Sequence, residues 1–210
     1  MIEQIEPKTN QLAETNEQDV NVALMAQNTL LNVKALNLLS RVATKYANSS
    51  VVPDNYARNP DNCFVACELA ARMNVSPILV MQNLYIVKGK PAWSGQACIS
   101  LINGSGQFDS PLDFVFVGDR GSDQFGCYAV TSRNGRELRS TTITMKMAAD
   151  EGWLNKQGSK WKTMPEQMMM YRSAAFFARV YCPNLLMGFS TEDEVRDIQP
   201  EEKPKETICL

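Results

Sequence analysis

The 210-residue sequence predicts an α+β fold, a small antiparallel sheet of hairpins packed with helices. Three observations carry that expectation. Apolar residues recur at intervals of three and four over residues 20–46 and again after Pro165, the period of an amphipathic helix. Over residues 84–93 and 112–145 the pattern shortens toward the alternation of half-buried strands. Within the second stretch, Asn134-Gly135 separates two apolar runs. That dipeptide suits a two-residue type I′ turn, where both central residues need positive φ.

The elements follow in order. Residues 1–19 are polar and without periodicity, which predicts a disordered acidic N-terminal tail. Leu24, Leu31, Ala35, Leu38 and Val42 then fall in phase on one long helix over residues 20–46. The connector "NSSVVPDNYARNP" leads to a helix in "NPDNCFVACELAARMNV", whose Asn, Asp and Pro form a start signal. A short helical turn comes next in "SPILVMQN", with Ser76 as N-cap and Pro77 at the first helical position.

"LYIVKGKPAW" reads as two strands about the turn Lys88-Gly89-Lys90. "SGQACISLINGSGQF" returns to helix and stops at glycines. "LDFVFVGD" and "FGCYAVTS" are strands, and "LRSTTITM" should pair with the second of them across the Asn-Gly turn. Thr144 can cap a short helix in "MKMAADEGW", and the loop "LNKQGSK" precedes the long helix from Pro165. "CPNLLMG" closes that helix. Beyond Gly188 the composition turns acidic and Pro-rich. The organisation expected is a tail over 1–19, one core domain over 20–189 and an acidic tail over 190–210.

The totals suit a globular chain: 44% apolar and 21% charged, with a net charge of −2. The distribution says more than the sum. Residues 1–19 hold one Lys against five acids, and residues 190–210 hold three basic residues against seven acids. Residues 133–179 hold nine basic residues against four acids. Acidic ends flanking a basic middle suit a domain that attracts a polyanion locally; a merely solvated face would give the same count. The opening "MIEQIEPKTNQ" has neither a basic start nor an apolar stretch, and no segment approaches the roughly 18 apolar residues of a membrane span. The six cysteines form no CxxC pair, and Cys63 and Cys67, four apart in a helical pattern, read as small core residues. Reduced thiols in a cytoplasm are the expectation.

Much chemistry is missing from the sequence. There is no His, hence no imidazole base and no Ser–His or Cys–His pair. No GxxxxGK[ST] loop is present to cradle a nucleotide, and "GSGQF" and "GDRGS" are turns rather than a dinucleotide fingerprint. No cofactor is implied. Asp109, Asp113, Asp119 and Asp123 cluster in sequence and could bind a divalent ion, which keeps a metal-dependent nuclease as one alternative. A non-catalytic assembly or adaptor protein with a basic protein-binding face is another.

The segment "GSKWKTMPEQMMMYRSAAFFARV", residues 158–180, concentrates the basic residues. Arg172 and Arg179 project from one helix face, with Met168 and Met169 a turn earlier. Met170, Ala174, Phe177 and Tyr181 form the side to bury. Just before, Lys160 and Lys162 straddle Trp161. Arginine forks pair with phosphates, and an aromatic among basic residues can stack on any base, so the segment suits a single strand. A structural alternative is equally specific: Trp161 caps the core and Arg172 pairs with Glu166 or a tail acid.

The ordered blocks "KGKPAW", "SGQACISLINGSGQF", "AADEGW", "GSKWKTMPEQMMMYRSAAFFARVYCPNLLMGF" and "TEDEV" resemble the RecT family of phage and prophage single-strand annealing proteins, the lambda Beta-like recombinases. The likeness runs from about residue 59 to 194. It implies ATP-independent binding of single-stranded DNA and annealing of complementary strands, by homo-oligomeric rings or helical filaments in the cytoplasm of a bacterial host. A phage exonuclease or a host single-strand binding protein is the implied companion. Carried over by position, the DNA groove would be lined by Lys88, Lys90, Gln96, Lys160, Trp161, Lys162, Arg172 and Arg179. Charge and position add Arg133, Arg136, Arg139 and Lys146. Met169 and Met170 stand where some relatives have lysines, and the tail after Gly188 is short for a separate partner-binding domain. Exposed Met168, Met169 and Phe176 would be covered by neighbouring copies.

Overall fold

The computed structural model describes residues 32–198 apart from Lys88, Gln157 and the side chains of 197 and 198. The expected N-terminal tail, the first part of the expected long helix, Lys88, Cys209 and the chain beyond 198 lie outside the described residues. Two compact units divide the chain, one ending at Gln82 and the other beginning at Asn83.

The first unit is helical. Helix α1 (Val33–Ala47) begins where Asn32 Oδ1 accepts from the N–H groups of Lys34 and Ala35 at 2.9 and 3.2 Å. Two of the orphan donors of its first turn are satisfied in this way. Helix α2 (Pro60–Met73) starts as its Asn-Pro signal predicts, with Asn59 accepting from Asn62 N–H at 3.0 Å and Pro60 in the first turn. It stops at Asn74, which takes the left-handed conformation at φ 54°. The helices α1 and α2 pack on one another. Cys63 and Cys67 are buried, and burial pushes the Cys67 thiol up to about 11. Helix α3 (Pro77–Asn83) follows, its last residue being the first of the second unit.

The second unit is α+β, as the sequence predicts, with its strands in two sheets. β1 (Leu84–Val87) pairs antiparallel with β2 (Lys90–Trp93) about Gly89 at φ 79°. Helix α4 (Gly95–Gly104) follows directly, its N-cap Ser94 accepting from Ala97 N–H at 2.9 Å. The second sheet runs β3 (Asp113–Val117), β4 (Gly126–Arg133) and β5 (Arg136–Arg139), all antiparallel, and β6 (Ile143–Thr144) pairs with the other end of β4. The β4–β5 turn is the expected Asn134-Gly135, with φ of 54° and 73°. Thr144 caps helix α5 (Met145–Asp150) by accepting from Met147 N–H at 3.1 Å.

Helix α6 (Pro165–Tyr181) is the spine of this unit, with β4 on one side and α4 on another. Between two partners it buries most of its circumference: Met168, Met169, Arg172, Ser173, Ala174, Ala175, Phe177 and Ala178. This corrects the assignment of faces. Met168 and Met169 are interior, not exposed, while Met170 and Tyr181 of the side expected to be buried are only half-buried. Phe176 is half-buried as well.

The tail expected after Gly188 is another correction. Ser190–Thr191 forms β7, parallel to β2, and Glu192–Ile198 forms α7, which packs on β1, β2 and β7. "TEDE" at 191–194 is a capping box: Glu194 at the third helical position reaches back to accept from Thr191 N–H at 2.9 Å.

One close contact gives a direct test of the α4–α6 packing. A methyl group on Gly95 would lie 2.5 Å from Cγ and 2.6 Å from Cβ of Tyr171. Cβ is fixed to the α6 backbone and cannot swing aside. Gly95→Ala is expected to cost about 1–3 kcal/mol by overpacking, read as a lower urea midpoint. An unchanged midpoint would contradict that packing.

Candidate nucleic-acid interface

The basic residues emerge from three local devices. The first is the β4–β5 hairpin. Arg133 and Arg136 are paired across its end, and Arg139 stands opposite Val130 further along. Arg136 and Arg139 are exposed. Arg133 turns back: its Nη2 donates to the Tyr181 carbonyl at 2.9 Å, and its guanidinium lies 5.0 Å from the Phe108 ring centre. Tyr181 Oη donates to the Arg139 carbonyl at 3.2 Å. These bonds tie the hairpin to the C-terminal end of α6 and present Arg136 and Arg139 from a fixed base.

Asp109 completes that turn. Its carboxylate accepts from the N–H groups of Asn134 at 3.1 Å and Gly135 at 2.9 Å. Donation from Gly135 above all holds its carboxyl below the ordinary value. Among the described residues, no three His, Cys, Asp or Glu side chains gather as a metal site.

The second device is the loop before α6. A 3₁₀ turn over Trp153–Asn155 leads into it. Ser159 Oγ donates to the Trp153 carbonyl at 2.6 Å and accepts from Trp161 N–H at 3.3 Å, and Met164 N–H closes on the Lys160 carbonyl at 2.7 Å. This folded loop turns Trp161 inward, 3% exposed, and its two neighbours Lys160 and Lys162 outward. Trp161 packs on Trp153 with ring centres 5.1 Å apart, in a core with Cys127, Ile143 and Met169.

The third is strand β2, with Lys90 at its start beside the Gly89 turn and Gln96 in the first turn of α4 beyond its other end, both exposed. Lys146, on α5, is exposed but donates to Asp150 at 2.9 Å, a bond that raises its pKa.

Two of the residues expected in the groove are inside the fold. Trp161 has no accessible ring face to offer a base. Arg172 is 5% exposed, its guanidinium 4.1 Å from the Trp153 ring centre and 4.0 Å from Glu194 Oε1. The structural alternative weighed for this segment therefore describes both residues, with Glu194 as the acid. Glu166 instead pairs with Arg120 at 2.9 Å. Arg179 lies between the two cases: its side chain is 43% exposed, and it too pairs with Glu194. Glu194 and Trp153 are the residues that sequence reasoning passed over. A T-x-x-E capping box was the available signal for Glu194, since it predicts a helix rather than a tail.

Exposed cations thus stand at three places in this unit, at the start of β2, on the β4–β5 hairpin and in the loop before α6, and cations of this kind attract a polyanion. The chain belongs to the RecT family, whose model matches residues 39–207, most of its length. RecT membership places it among proteins of DNA recombination by strand annealing. Comparison with curated proteins and with solved structures finds no match. Among the described residues no single helix is long and apolar enough to cross a membrane.

Proposed function

We propose that this protein binds single-stranded DNA through its phosphates and anneals it to a complementary strand without consuming ATP. Family membership over residues 39–207 carries the reading. The exposed cations support it in detail. Lys90, Arg136, Arg139, Lys160 and Lys162 reach solvent, Gln96 is exposed as a neutral donor, and Lys88 is assigned by position alone. Lys146 and Arg133, each already engaged by the chain, contribute mainly field. Phosphate contacts position a strand without reading its sequence, so the bases stay available for pairing and base pairing supplies the free energy. Absence of a nucleotide loop from the sequence accords with annealing that needs no motor.

Assembly of several copies along one strand in a bacterial cytoplasm belongs to the same reading, with a phage exonuclease or host single-strand binding protein as companion. Strand β3 supports assembly: it is an edge strand that exposes Phe116 and Val117.

The test is annealing of complementary oligonucleotides with no nucleotide present. Pairing faster than in buffer is the expected result. Pairing no faster than in buffer, or only with ATP, would sink the proposal. Loss of the DNA with magnesium would favour the nuclease, and no preference for single strands would favour the adaptor.

A further inference from the structure

Two arginines of α6 converge on one carboxylate that belongs to the last helix. Arg179 Nη2 bonds Glu194 Oε2, which also accepts from Thr191 N–H, while Arg172 Nη1 stands 4.0 Å from Oε1. Glu194 is 5% exposed. Despite that burial, Oε1 has no hydrogen-bond partner among the described residues. A buried carboxylate that lacks one of its bonds holds its place at a cost, because water served that oxygen before folding.

The element that carries Glu194 is slight. A two-residue strand and a seven-residue helix form it, at the edge of a three-stranded sheet. Segments with so few ladder bonds open well below the global unfolding free energy. Arg179, by contrast, sits on the seventeen-residue spine and already shows 43% of its side chain to solvent. A phosphate can approach its guanidinium from outside while the carboxylate holds it from within.

We propose that Glu194 is an internal substitute for phosphate: it covers an anion subsite formed by Arg179 and Arg172, and α7 leaves when a DNA strand takes its place. Three features favour exchange over simple addition. A phosphodiester offers more acceptor oxygens to two guanidinium forks than a carboxylate with one unbonded oxygen. Release returns the Glu194 carboxylate to water and ends its deficit. Glu192 and Asp193 share its turn, so a strand laid on Arg179 would repel the whole acidic start of α7. The latch would keep Arg172 and the inner side of Arg179 from other anions until a polyanion, held also by the exposed cations elsewhere on the protein, competes at high local concentration.

This inference rests on the single-strand reading, and the experiment separates the two. Binding of a fluorescent oligothymidine is measured for the full chain, for Glu194→Gln, and for Glu194→Gln combined with Arg179→Ala. Glu194→Gln keeps the shape but loses the charge, and is expected to bind about fivefold tighter, the equivalent of one half-exposed ion pair no longer displaced. Adding Arg179→Ala should abolish that gain. If the unaltered chain binds and Glu194→Gln binds equally or more weakly, the latch is overturned and the annealing reading stands. If neither binds, both fall. Should Glu194→Gln fail to fold, hydrogen exchange of the unaltered chain decides. Oligothymidine is expected to speed exchange over residues 190–198, and unchanged or slower exchange there would overturn the latch.

Discussion

Trp161→Ala and Arg172→Ala are each expected to lower the unfolding free energy by about 3–5 kcal/mol, while Lys160→Ala and Lys162→Ala stay within about 0.5 kcal/mol. Trp161 is 3% exposed against Trp153, so truncation leaves a large cavity among Cys127, Ile143 and Met169, which a packed core cannot fill. Arg172→Ala removes the cation that lies 4.1 Å from the Trp153 ring and takes one positive charge from the buried Glu194. Arg179 still pairs with Glu194, which places this loss at the lower end of the range. The two lysines, one residue to either side of Trp161, are exposed and cover no core. Urea unfolding of the four variants reads the contrast directly. A loss below about 1 kcal/mol at Trp161 or Arg172 would mean that these side chains are not where the fold places them.

Which parts of this architecture were legible in the sequence follows from the range of the interactions that set them. The Asn134-Gly135 hairpin, the Asn59 start signal, the Thr144 cap and the Pro165 helix start are decided within three or four residues, and each stands as expected. The faces of α6 are decided by neighbours. A helix with β4 on one side and α4 on another has little polar face left, and periodicity cannot tell which residues such a helix buries. Trp161 between two lysines looks the same whether it faces a base or a core. Its inward turn depends on Ser159 bridging to the Trp153 carbonyl and to Trp161 N–H, and on a second tryptophan eight residues away. Arg172 and Arg179 meet an acid 22 and 15 residues further on, in a segment that composition assigns to a tail. Composition there reflects the solvated side of α7, whereas its capping box and Val195, 6% exposed, reflect the packed side.

The exposed cations carry the largest functional expectation. Replacing Arg136, Arg139, Lys160 and Lys162 together by Ala removes four positive charges from two rigid edges without touching a buried side chain. Each phosphate contact releases counterions from a single strand with a slope of about 0.7 in log affinity against log salt, so four lost contacts should flatten the slope by about 3. Carried from 1 M to 0.1 M salt, that difference is an affinity loss of roughly 10²–10³-fold. Oligothymidine and a mixed-sequence strand should suffer alike, because phosphates carry no sequence. Stability should hold, since Tyr181 bonds the hairpin through the Arg139 backbone carbonyl and not its side chain. Fluorescence titrations at several salt concentrations measure slope and affinity together. A loss under threefold with an unchanged slope would remove these four residues from the interface. A loss confined to one sequence would replace phosphate contact with base recognition, and would leave annealing of arbitrary strands without its physical basis.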